Sequence, residues 1–208
     1  MSTVIVFASG EHPPSDVIDD LPIADLVVAA DGGYQMAAAL GQRVDVLVGD
    51  LDSVSVDELP GHLIVERHPP DKDATDLELA IDLVAADNPQ RLIVVGGAGG
   101  RLDHELAVVG LICSPRWADI DEIDWVSGRG RAHVVRGMRR LHGDVGATLT
   151  LISVGGDAHG ISTRGLEWDL TDGSILSGST LGVSNLLISP VVEIRVDTGC
   201  LLAVFPSG

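Results

Sequence analysis

Short apolar runs alternate with segments of helical periodicity over the first two thirds of the chain, and this alternation constrains the fold more than any other feature. Val4–Ala8 and Arg91–Val95 are apolar runs with the length of buried strands. Ala74–Ala86 instead carries apolar residues three and four positions apart, as an amphipathic helix does. Strands separated by helices pair in parallel, because a parallel connection needs a long crossover. We therefore predict an N-terminal α/β domain with a Rossmann-like, mostly parallel sheet.

The last third of the chain has a different pattern. From about Gly143, short β-rich runs such as Ala147–Val154 are separated by Gly, Asp and Ser, without helical periodicity. This predicts a C-terminal all-β sandwich, with a barrel as the alternative. The boundary is expected within Arg136–Asp144, which gives an α/β domain over residues 1–137 and a β domain over residues 138–208.

The charge of the chain is strongly negative and unevenly divided. The 13 Lys and Arg face 31 Asp and Glu, a net charge of −18, and residues 1–135 hold 8 basic and 24 acidic side chains, a net −16. A field of this sign repels phosphates, so we expect neither nucleic acid nor an anionic membrane as a partner. A structural protein whose acidity serves only solubility would spread the acids over both domains, so the division argues against that class. An anionic small substrate would need a local cation.

Cysteine usage and the N-terminal sequence bear on the compartment. Cys113 and Cys200 are too few for a disulfide framework or a cysteine metal site. The N-terminus lacks the basic and long apolar regions of a signal peptide, and no apolar stretch reaches about 18 residues, the length of a membrane span. These features predict a cytoplasmic protein.

Polar, Gly-rich segments follow four of the predicted strands. Ligands of open α/β sheets bind beyond the carboxyl ends of the strands, so these segments are candidates for a site. They are Ala30–Gly33, Gly49–Ser53, Asp71–Asp76 and Gly96–His104. Each is weak when taken alone, because Asp and Gly also dominate ordinary turns.

Asp50 and Asp52 are two carboxylates that directly follow an apolar strand. They would repel each other if both were ionised and partly buried. Mg²⁺ removes that repulsion, and it prefers carboxylate oxygens together with substrate phosphates. A magnesium site is one interpretation of this pair, and a solvated acidic loop is the other.

Asp71–Asp76 leads into the helix predicted over Ala74–Ala86. Thr75 as N-cap, with Glu78 three residues later, is a capping-box pattern and explains part of the segment as an ordinary helix start. It leaves Lys72 and Asp73 unexplained. A cation site with a lysine directed at a phosphate accounts for them.

The Gly96–Gly100 turn is followed by Arg101 and a helix. Backbone N–H groups of such a turn can approach a phosphate, and Arg101 would add a bidentate contact. The spacing is neither that of a Walker A loop nor GxGxxG. His104 in the first helical turn is open to a structural role as well.

The tryptophans are few enough to be considered one by one. Trp117 and Trp125 are predicted to be packing residues, whereas Trp168 lies in a polar stretch. Trp168 is either a core residue or an aromatic platform for a flat or cationic ligand. Ser184-Asn185 is predicted to be a turn.

Taken together and in order, these motifs resemble the thiamine pyrophosphokinase family. Any one of them can arise by chance, whereas seven collinear segments are highly specific. They are ADGG at Ala30–Gly33, GDLDS at Gly49–Ser53, DKDATDLELA at Asp71–Ala80, GGAGGRLDH at Gly96–His104, GLEWDL at Gly165–Leu170, SN at Ser184-Asn185 and VEIRVDTGCLLAVFP at Val192–Pro206.

The resemblance implies a reaction, an assembly and a set of site residues. The family transfers the pyrophosphoryl group of ATP to the hydroxyethyl oxygen of thiamine, giving thiamine diphosphate and AMP, and works as a homodimer with its sites at the subunit interface. Thiamine would stack on Trp168, with Ser184 and Asn185 nearby. Arg101 would neutralise charge in catalysis, and Asp73 or Asp103 would accept the alcohol proton. The residues expected around Mg²⁺ and the triphosphate are Asp50, Asp52, Asp73 and Asp103. Those expected to bind or support the nucleotide are Asp31, Gly32, Ser53, Lys72, Thr75, Asp76, Arg101 and His104.

Two alternatives to this enzyme are kept. In the first, the protein is a related diphosphokinase that acts on another flat heterocyclic alcohol, because Trp168 would also stack on other flat rings. The other alternative is a thiamine- or nucleotide-binding module without catalysis. The intact acidic and arginine motifs argue against it.

Overall fold

The structure is a computed structural model that describes residues 2–14, 18, 20–50 and 59–206. These residues divide into two compact units. The first unit holds the described residues up to Val108 together with Asp119–Arg129, and the second holds Val109–Ala118 and the described residues from Gly130 onward. The division at residues 137 and 138 into a catalytic and a substrate-binding domain stays a prediction.

Six parallel strands form the sheet of the first unit, as predicted. In chain order they are β1 (Thr3–Phe7), β2 (Leu26–Ala30), β3 (Val46–Gly49), β4 (Ile64–Arg67), β5 (Arg91–Val95) and β6 (Glu122–Ser127). Their spatial order is β4-β3-β2-β1-β5-β6, and every pair is parallel. The order reverses between β1 and β5. Loops diverge at such a reversal and leave a crevice, which is where open α/β sheets usually bind ligands.

Helices connect these strands. They are α1 (Gly33–Ala39), α2 (Asp76–Ala85) and α3 (Leu102–Ile112). The predicted capping box is confirmed, because the Thr75 hydroxyl accepts a hydrogen bond from the backbone N–H of Glu78 at 3.2 Å. The apolar face of α2 packs against β1, β2 and β3. None of the helices in the described part of the chain has the length and apolar character of a membrane span.

The start of α1 lies directly against β1. A Cβ atom added at Gly33 would lie 2.0 Å from the carbonyl oxygen of Phe7, a distance at which the two elements must separate. Met36 and Ala37 of α1 complete this contact and are buried in the same apolar core as Phe7. Glycine at position 33 therefore has a packing reason, and it holds the segment after β2 close to the end of β1.

The second unit is a β-sandwich, as predicted. Its strands are β7 (Gly130–Val135), β8 (Met138–His142), β9 (Thr148–Ser153), β10 (Ala158–Arg164), β11 (Gly173–Ile175), β12 (Asn185–Leu186), β13 (Val191–Arg195) and β14 (Leu201–Pro206). The order β12-β9-β14-β7 forms one antiparallel set, and β11-β10-β13-β8 forms the other. Leu151 and Leu201 of the first set share a buried core with Ile161 and Val192 of the second.

Strand β8 occupies the segment that the sequence indicated as an interdomain boundary. Its side chains alternate between solvent and core, with Arg139 and Leu141 facing inwards. The buried guanidinium of Arg139 donates to the carbonyl of Val134 at 3.3 Å. An inward arginine hides the apolar alternation by which a strand is identified, so this strand was not predicted.

Candidate active site

Four of the predicted motif segments meet at one edge of the parallel sheet. The strand ends are level, since Ala30 pairs with Val48 and Phe7 pairs with Val95. Hydrogen bonds continue this alignment beyond the strands, because the N–H of Asp31 donates to Val48 at 2.8 Å. Asp50 follows β3 and the Gly-rich turn follows β5, so both emerge at the same edge.

Lys72, the only lysine of the chain, lies between two of the expected carboxylates. Its Nζ atom is 2.9 Å from Oδ1 of Asp76 and 3.9 Å from Oδ2 of Asp50. The Lys72 side chain is 14% exposed, so most of its length is shielded from water. Asp76 Oδ1 is buried and accepts no hydrogen bond from the described residues. The contact between Nζ and this buried oxygen is a close ion pair.

Gly49 makes room for this cluster. A Cβ atom at Gly49 would lie 3.2 Å from Oδ1 of Asp76 and 3.3 Å from Cβ of Asp31, and the φ of Gly49 is +152°. The absence of a side chain at position 49 therefore lets Asp31 and Asp76 approach the end of β3. Asp31 itself has a φ of +42°, which is uncommon for a residue other than glycine and is typical of functional sites.

Carboxylates suit a magnesium ion here. In the described part of the chain, no three His, Cys, Asp or Glu side chains are placed to hold a metal. Mg²⁺ does not need such a cage, because it commonly takes one or two carboxylates and completes its shell with phosphate oxygens and water. Asp50 fits that mode, and Asp76 lies beside it through their shared contact with Lys72. Asp52 and Ser53, also expected at this site, lie outside the described residues.

The Gly-rich turn after β5 is fixed by the protein itself. The N–H of Gly96 donates to Val126 and the N–H of Gly97 donates to Ser9, each at 2.9 Å. Side chains do not fit at the first of these positions, where an added Cβ would lie 2.3 Å from the carbonyl oxygen of Ala8. Gly96 is therefore explained by packing. Since two of the N–H groups are already used, the turn offers fewer donors to a phosphate than its sequence indicated.

Trp125 supports the same turn, a role that the sequence did not reveal. The prediction that Trp117 and Trp125 are packing residues is confirmed, because both are buried. In addition, the indole N–H of Trp125 donates to the carbonyl of Gly96 at 2.7 Å. A tryptophan inside a strand carries no sequence signal for such a contact.

Gly32 is half-buried, and the expected residues of the loop before α2 and of the start of α3 are exposed. Asp73 lies in the loop before α2, and Arg101, Asp103 and His104 lie at the start of α3. Arg101 and Asp103 pair with each other, with Nε of Arg101 3.1 Å from Oδ1 of Asp103. This hydrogen bond from the guanidinium lowers the pKa of Asp103 from 3.8 to about 2, assisted by the charge of Arg101.

Replacing Arg101 is expected to return Asp103 to ordinary acidity. In Arg101→Gln the charged donor is lost, so the pKa of Asp103 should rise from about 2 towards 3.8. Side-chain NMR during an acid titration measures this value directly. Arg129→Gln, which removes a guanidinium 3.9 Å from Glu105, is the control and should leave Asp103 unchanged. A pKa that stays near 2 in Arg101→Gln would contradict the assignment.

Trp168 is at the surface of the second unit. Its side chain is 60% exposed, so the alternative that it belongs to the core is wrong. Its backbone is nevertheless held firmly. The Asn185 amide accepts from the Trp168 N–H at 3.2 Å and donates to the Trp168 carbonyl at 2.9 Å. A large aromatic ring is therefore presented to solvent from a fixed backbone.

The predicted turn is confirmed for Ser184, whereas Asn185 lies in a strand. Asn185 is buried and begins β12, where it pairs with Leu149. Ser184 precedes it with a φ of +61°, and its N–H donates to the Thr150 hydroxyl at 3.0 Å. Asn185 thus connects the short strand to the Trp168 loop through its side chain, which a two-residue sequence pattern does not show.

Asp169 is a further residue that the sequence reasoning did not single out. Its carboxylate accepts from the Thr163 hydroxyl at 3.0 Å and from the N–H groups of Gly165 at 3.3 Å and Leu166 at 3.1 Å. It shapes the turn that ends in Trp168. Its position inside the GLEWDL segment is the feature of the sequence that could have indicated this role.

Comparisons with known proteins agree with this geometry. The sequence model described as "Thiamin pyrophosphokinase, catalytic domain" matches residues 21–121. The model described as "Thiamin pyrophosphokinase, vitamin B1 binding domain" matches residues 133–201. The first match contains the carboxylate cluster and the Gly-rich turn, and the second contains the Trp168 loop.

Curated relatives carry the same name. "Thiamine pyrophosphokinase" of Bacillus subtilis (strain 168) is 27% identical over 217 residues, which cover 98% of this chain and 98% of that protein. "Thiamine pyrophosphokinase 1" of Oryza sativa subsp. japonica is 25% identical over 181 residues, 78% of this chain. The chain spans 66% of the length of the rice protein.

Solved structures share the fold. The thiamine pyrophosphokinase of Bacillus subtilis superimposes with a TM-score of 0.84 at 23% identity, over 100% of both chains. The thiamin pyrophosphokinase of Geobacillus thermodenitrificans gives a TM-score of 0.82 at 26% identity, over 100% of this chain and 98% of that one. With both domain models matched in order over most of its length, this chain belongs to the thiamin pyrophosphokinase family.

Proposed function

We propose that the protein is a thiamine pyrophosphokinase that transfers the pyrophosphoryl group of ATP to thiamine and releases AMP. The observation that carries the proposal is the match of both family domains in order, each containing one of the two candidate site regions. The sheet edge supplies carboxylates and a lysine for a metal-bound polyphosphate. The second unit supplies an exposed, firmly held tryptophan for a flat cation.

The reaction needs placement and charge neutralisation. Attack of the thiamine hydroxyl on the β-phosphorus develops charge on phosphate oxygens, which fixed cations stabilise. Lys72 is held between Asp50 and Asp76 in the chain, and phosphate oxygens would compete for its ammonium group. Arg101 is exposed and would exchange its bond to Asp103 for a bidentate phosphate contact.

Magnesium fits the same region. We assign Asp50, Asp52, Asp73 and Asp103 to the ion and the triphosphate, and Asp31, Gly32, Ser53, Thr75, Asp76 and His104 to nucleotide binding or support. The ion, when bound, would neutralise phosphate charge as a Lewis acid. The carboxylates hold it and orient the nucleotide, which explains why a site for an anion contains so many acids.

The proton of the thiamine hydroxyl needs an acceptor. Asp73 and Asp103 are both exposed acids near the expected phosphates. The Arg101 hydrogen bond that lowers the pKa of Asp103 to about 2 is lost when Arg101 turns to a phosphate. We therefore assign the proton to one of these two carboxylates, Asp73 or Asp103. Thiamine is proposed to stack on Trp168, with Ser184 beside it and Asn185 holding the loop.

We further propose a cytoplasmic homodimer that binds neither nucleic acid nor membranes. The net charge of −18 supports the second part, because such a field repels both polyanions and anionic lipid surfaces. The family resemblance supports the dimer.

A direct assay tests the activity. The purified protein is incubated with ATP, Mg²⁺ and thiamine, and AMP and thiamine diphosphate are separated by chromatography. We expect the two products in equal amounts, and neither when thiamine is omitted. A folded protein that produces no AMP would overturn the proposal. AMP formed with another heterocyclic alcohol but not with thiamine would show that the protein is the alternative enzyme, which acts on that alcohol.

A further inference from the structure

Polar side chains hold most of the backbone of the loop that carries Trp168. This loop, Gly165–Leu170, follows β10 in the second unit. Five of its backbone N–H groups donate hydrogen bonds, and among these only that of Glu167 donates to a backbone carbonyl. The other four donate to side-chain oxygens, which belong to Asp169, Asn185 and Thr163. Most protein hydrogen bonds join backbone to backbone, so the order of this loop depends on a few side chains to an unusual degree.

Asp169 forms two of these contacts. Its carboxylate accepts from the N–H groups of Gly165 at 3.3 Å and Leu166 at 3.1 Å, both of which precede Trp168. The same carboxylate accepts from the hydroxyl of Thr163 at 3.0 Å. Aspartate side chains stabilise turns through such bonds to nearby backbone groups. One side chain that follows Trp168 therefore fixes the chain that precedes it.

Thr163 joins the end of the loop to β10. It is buried, and its hydroxyl accepts from the Leu170 N–H at 2.8 Å. Its own backbone N–H donates to the Leu170 carbonyl at 2.9 Å. A hydroxyl has one donor and two acceptor positions, so it accepts from Leu170 while it donates to Asp169. The loop is thus closed at its base, and Trp168 lies between the points of attachment.

The Trp168 ring needs this support because the core does not provide it. A side chain that is largely exposed is fixed mainly by the backbone that bears it. A flat ligand stacks only on a ring that is presented in the right orientation. If the loop sampled several conformations, the apparent affinity would fall by the fraction of molecules in the binding conformation. Holding the loop in advance therefore strengthens binding without any contact to the ligand.

We propose that Asp169 is a positioning residue that holds the Trp168 ring in the orientation on which thiamine stacks. The inference rests on the proposed use of thiamine as the substrate. The oxygens of Asp169 already accept from Thr163, Gly165 and Leu166, so the residue acts through the loop. Asp169 is therefore expected to set the affinity for thiamine and to have no part in pyrophosphoryl transfer, which we assign to the first unit.

Asp169→Ala separates affinity from turnover. Without the carboxylate, three donors lose their acceptor, and the loop gains conformations that do not present the ring. We expect the KM for thiamine to rise about tenfold, the order expected when hydrogen bonds that hold one conformation are lost. The kcat at saturating thiamine and the KM for ATP should stay within about twofold of those of the unaltered protein.

Asp157 provides the matched control, because it is a second exposed aspartate that holds another loop of the same unit. Its Oδ1 atom accepts from the Ser177 N–H at 2.7 Å. Asp157→Ala should disturb that loop and leave both KM values unchanged. An equal rise of the thiamine KM in the two alanine variants would show a general weakening of the second unit and refute the positioning role.

Two substitutions at Thr163 test the same support from its other end. Thr163→Val keeps the shape of the side chain and loses the hydroxyl, so it should raise the thiamine KM as Asp169→Ala does. Thr163→Ser keeps the hydroxyl and should retain the KM of the unaltered protein. Because both residues act on one loop, the double variant should lose less affinity than the product of the single effects. If Thr163→Ser bound thiamine as weakly as Thr163→Val, packing would hold the loop, contrary to the proposal.

Amide hydrogen exchange measures the order of the loop without catalysis. The N–H groups of Gly165 and Leu166 should exchange faster in Asp169→Ala and keep their rates in Asp157→Ala. Thiamine binding, followed by quenching of tryptophan fluorescence without ATP, should weaken in parallel with the change in KM. Unchanged exchange, or faster exchange with an unchanged affinity for thiamine, would disprove the positioning role alone. An unaltered protein that neither binds nor converts thiamine would disprove the proposed function, and this inference with it.

Discussion

Asp50→Asn is expected to lower kcat for thiamine diphosphate formation by about 10²–10³-fold, the usual cost of removing one group that stabilises developing charge. The amide keeps the size of the side chain and removes the negative charge that a magnesium ion requires. It also removes one of the two carboxylates that pair with Lys72 among the described residues and leaves Asp76, 2.9 Å away. The measurement is steady-state kinetics at saturating ATP and thiamine, together with the magnesium concentration at half-maximal rate, which should rise.

A matched aspartate separates this effect from a general loss of charge. Asp87 is exposed and follows the C-terminal end of α2, whereas Asp76 begins that helix at the site. Asp87→Asn should keep the kcat and magnesium dependence of the unaltered protein. Both variants should fold, since Asp76, 2.9 Å from Nζ, still balances the charge of Lys72 in Asp50→Asn. If Asp50→Asn kept its kcat within about twofold, Asp50 would not belong to the metal and phosphate site.

The architecture of the first unit followed from local rules. Strands were predicted at apolar runs such as Arg91–Val95, and the structure has strands there. Thr75 is the predicted N-cap of α2 and makes the capping hydrogen bond. Such features depend on nearest neighbours in sequence, so one sequence is enough to predict them. Strand β8 was missed because Arg139 is buried through a contact to Val134 of β7, which belongs to the other antiparallel set.

The charged residues of the candidate site were predicted from the sequence, whereas the residues that hold its backbone were not. Residues with charge, such as Asp50 and Lys72, stand out in a sequence and were selected. Trp125 and Asn185 act through backbone carbonyls and N–H groups of distant residues, namely those of Gly96 and Trp168. Contacts of this kind depend on the folded backbone and leave no local pattern.

The Gly-rich turn illustrates the difference between a motif and its physical cause. Its glycines were interpreted as residues whose missing side chains let backbone N–H groups approach a phosphate. In the structure, the carbonyl of Ala8 lies too close to Gly96 for a Cβ, and Gly97 has a φ of +75°, which favours glycine. The N–H groups of both are already bonded. Arg101, directly after the turn, then becomes the main donor that this segment offers to an anion.

Trp168→Ala is expected to raise the KM for thiamine by about 5- to 150-fold, the range that corresponds to the loss of one stacked ring. The ring is 60% exposed, so its removal leaves the core intact and should not lower the melting temperature. The KM for ATP should stay unchanged, because the carboxylate and lysine cluster lies in the other unit. Initial rates with each substrate varied in turn provide both constants.

Two further variants make the Trp168 result specific to an aromatic ring. Trp168→Phe keeps a flat ring on the same backbone and should recover most of the affinity for thiamine. Met138→Ala removes an equally exposed apolar side chain, 61% exposed on β8, and should change neither KM. If thiamine stacks on the ring held by Asn185, the KM for thiamine should be highest in Trp168→Ala, lower in Trp168→Phe and unchanged in Met138→Ala. If thiamine only needs apolar surface, Met138→Ala should weaken thiamine binding as well. Equal increases of both KM values in Trp168→Ala would show that the residue supports the whole site and that thiamine does not stack on it.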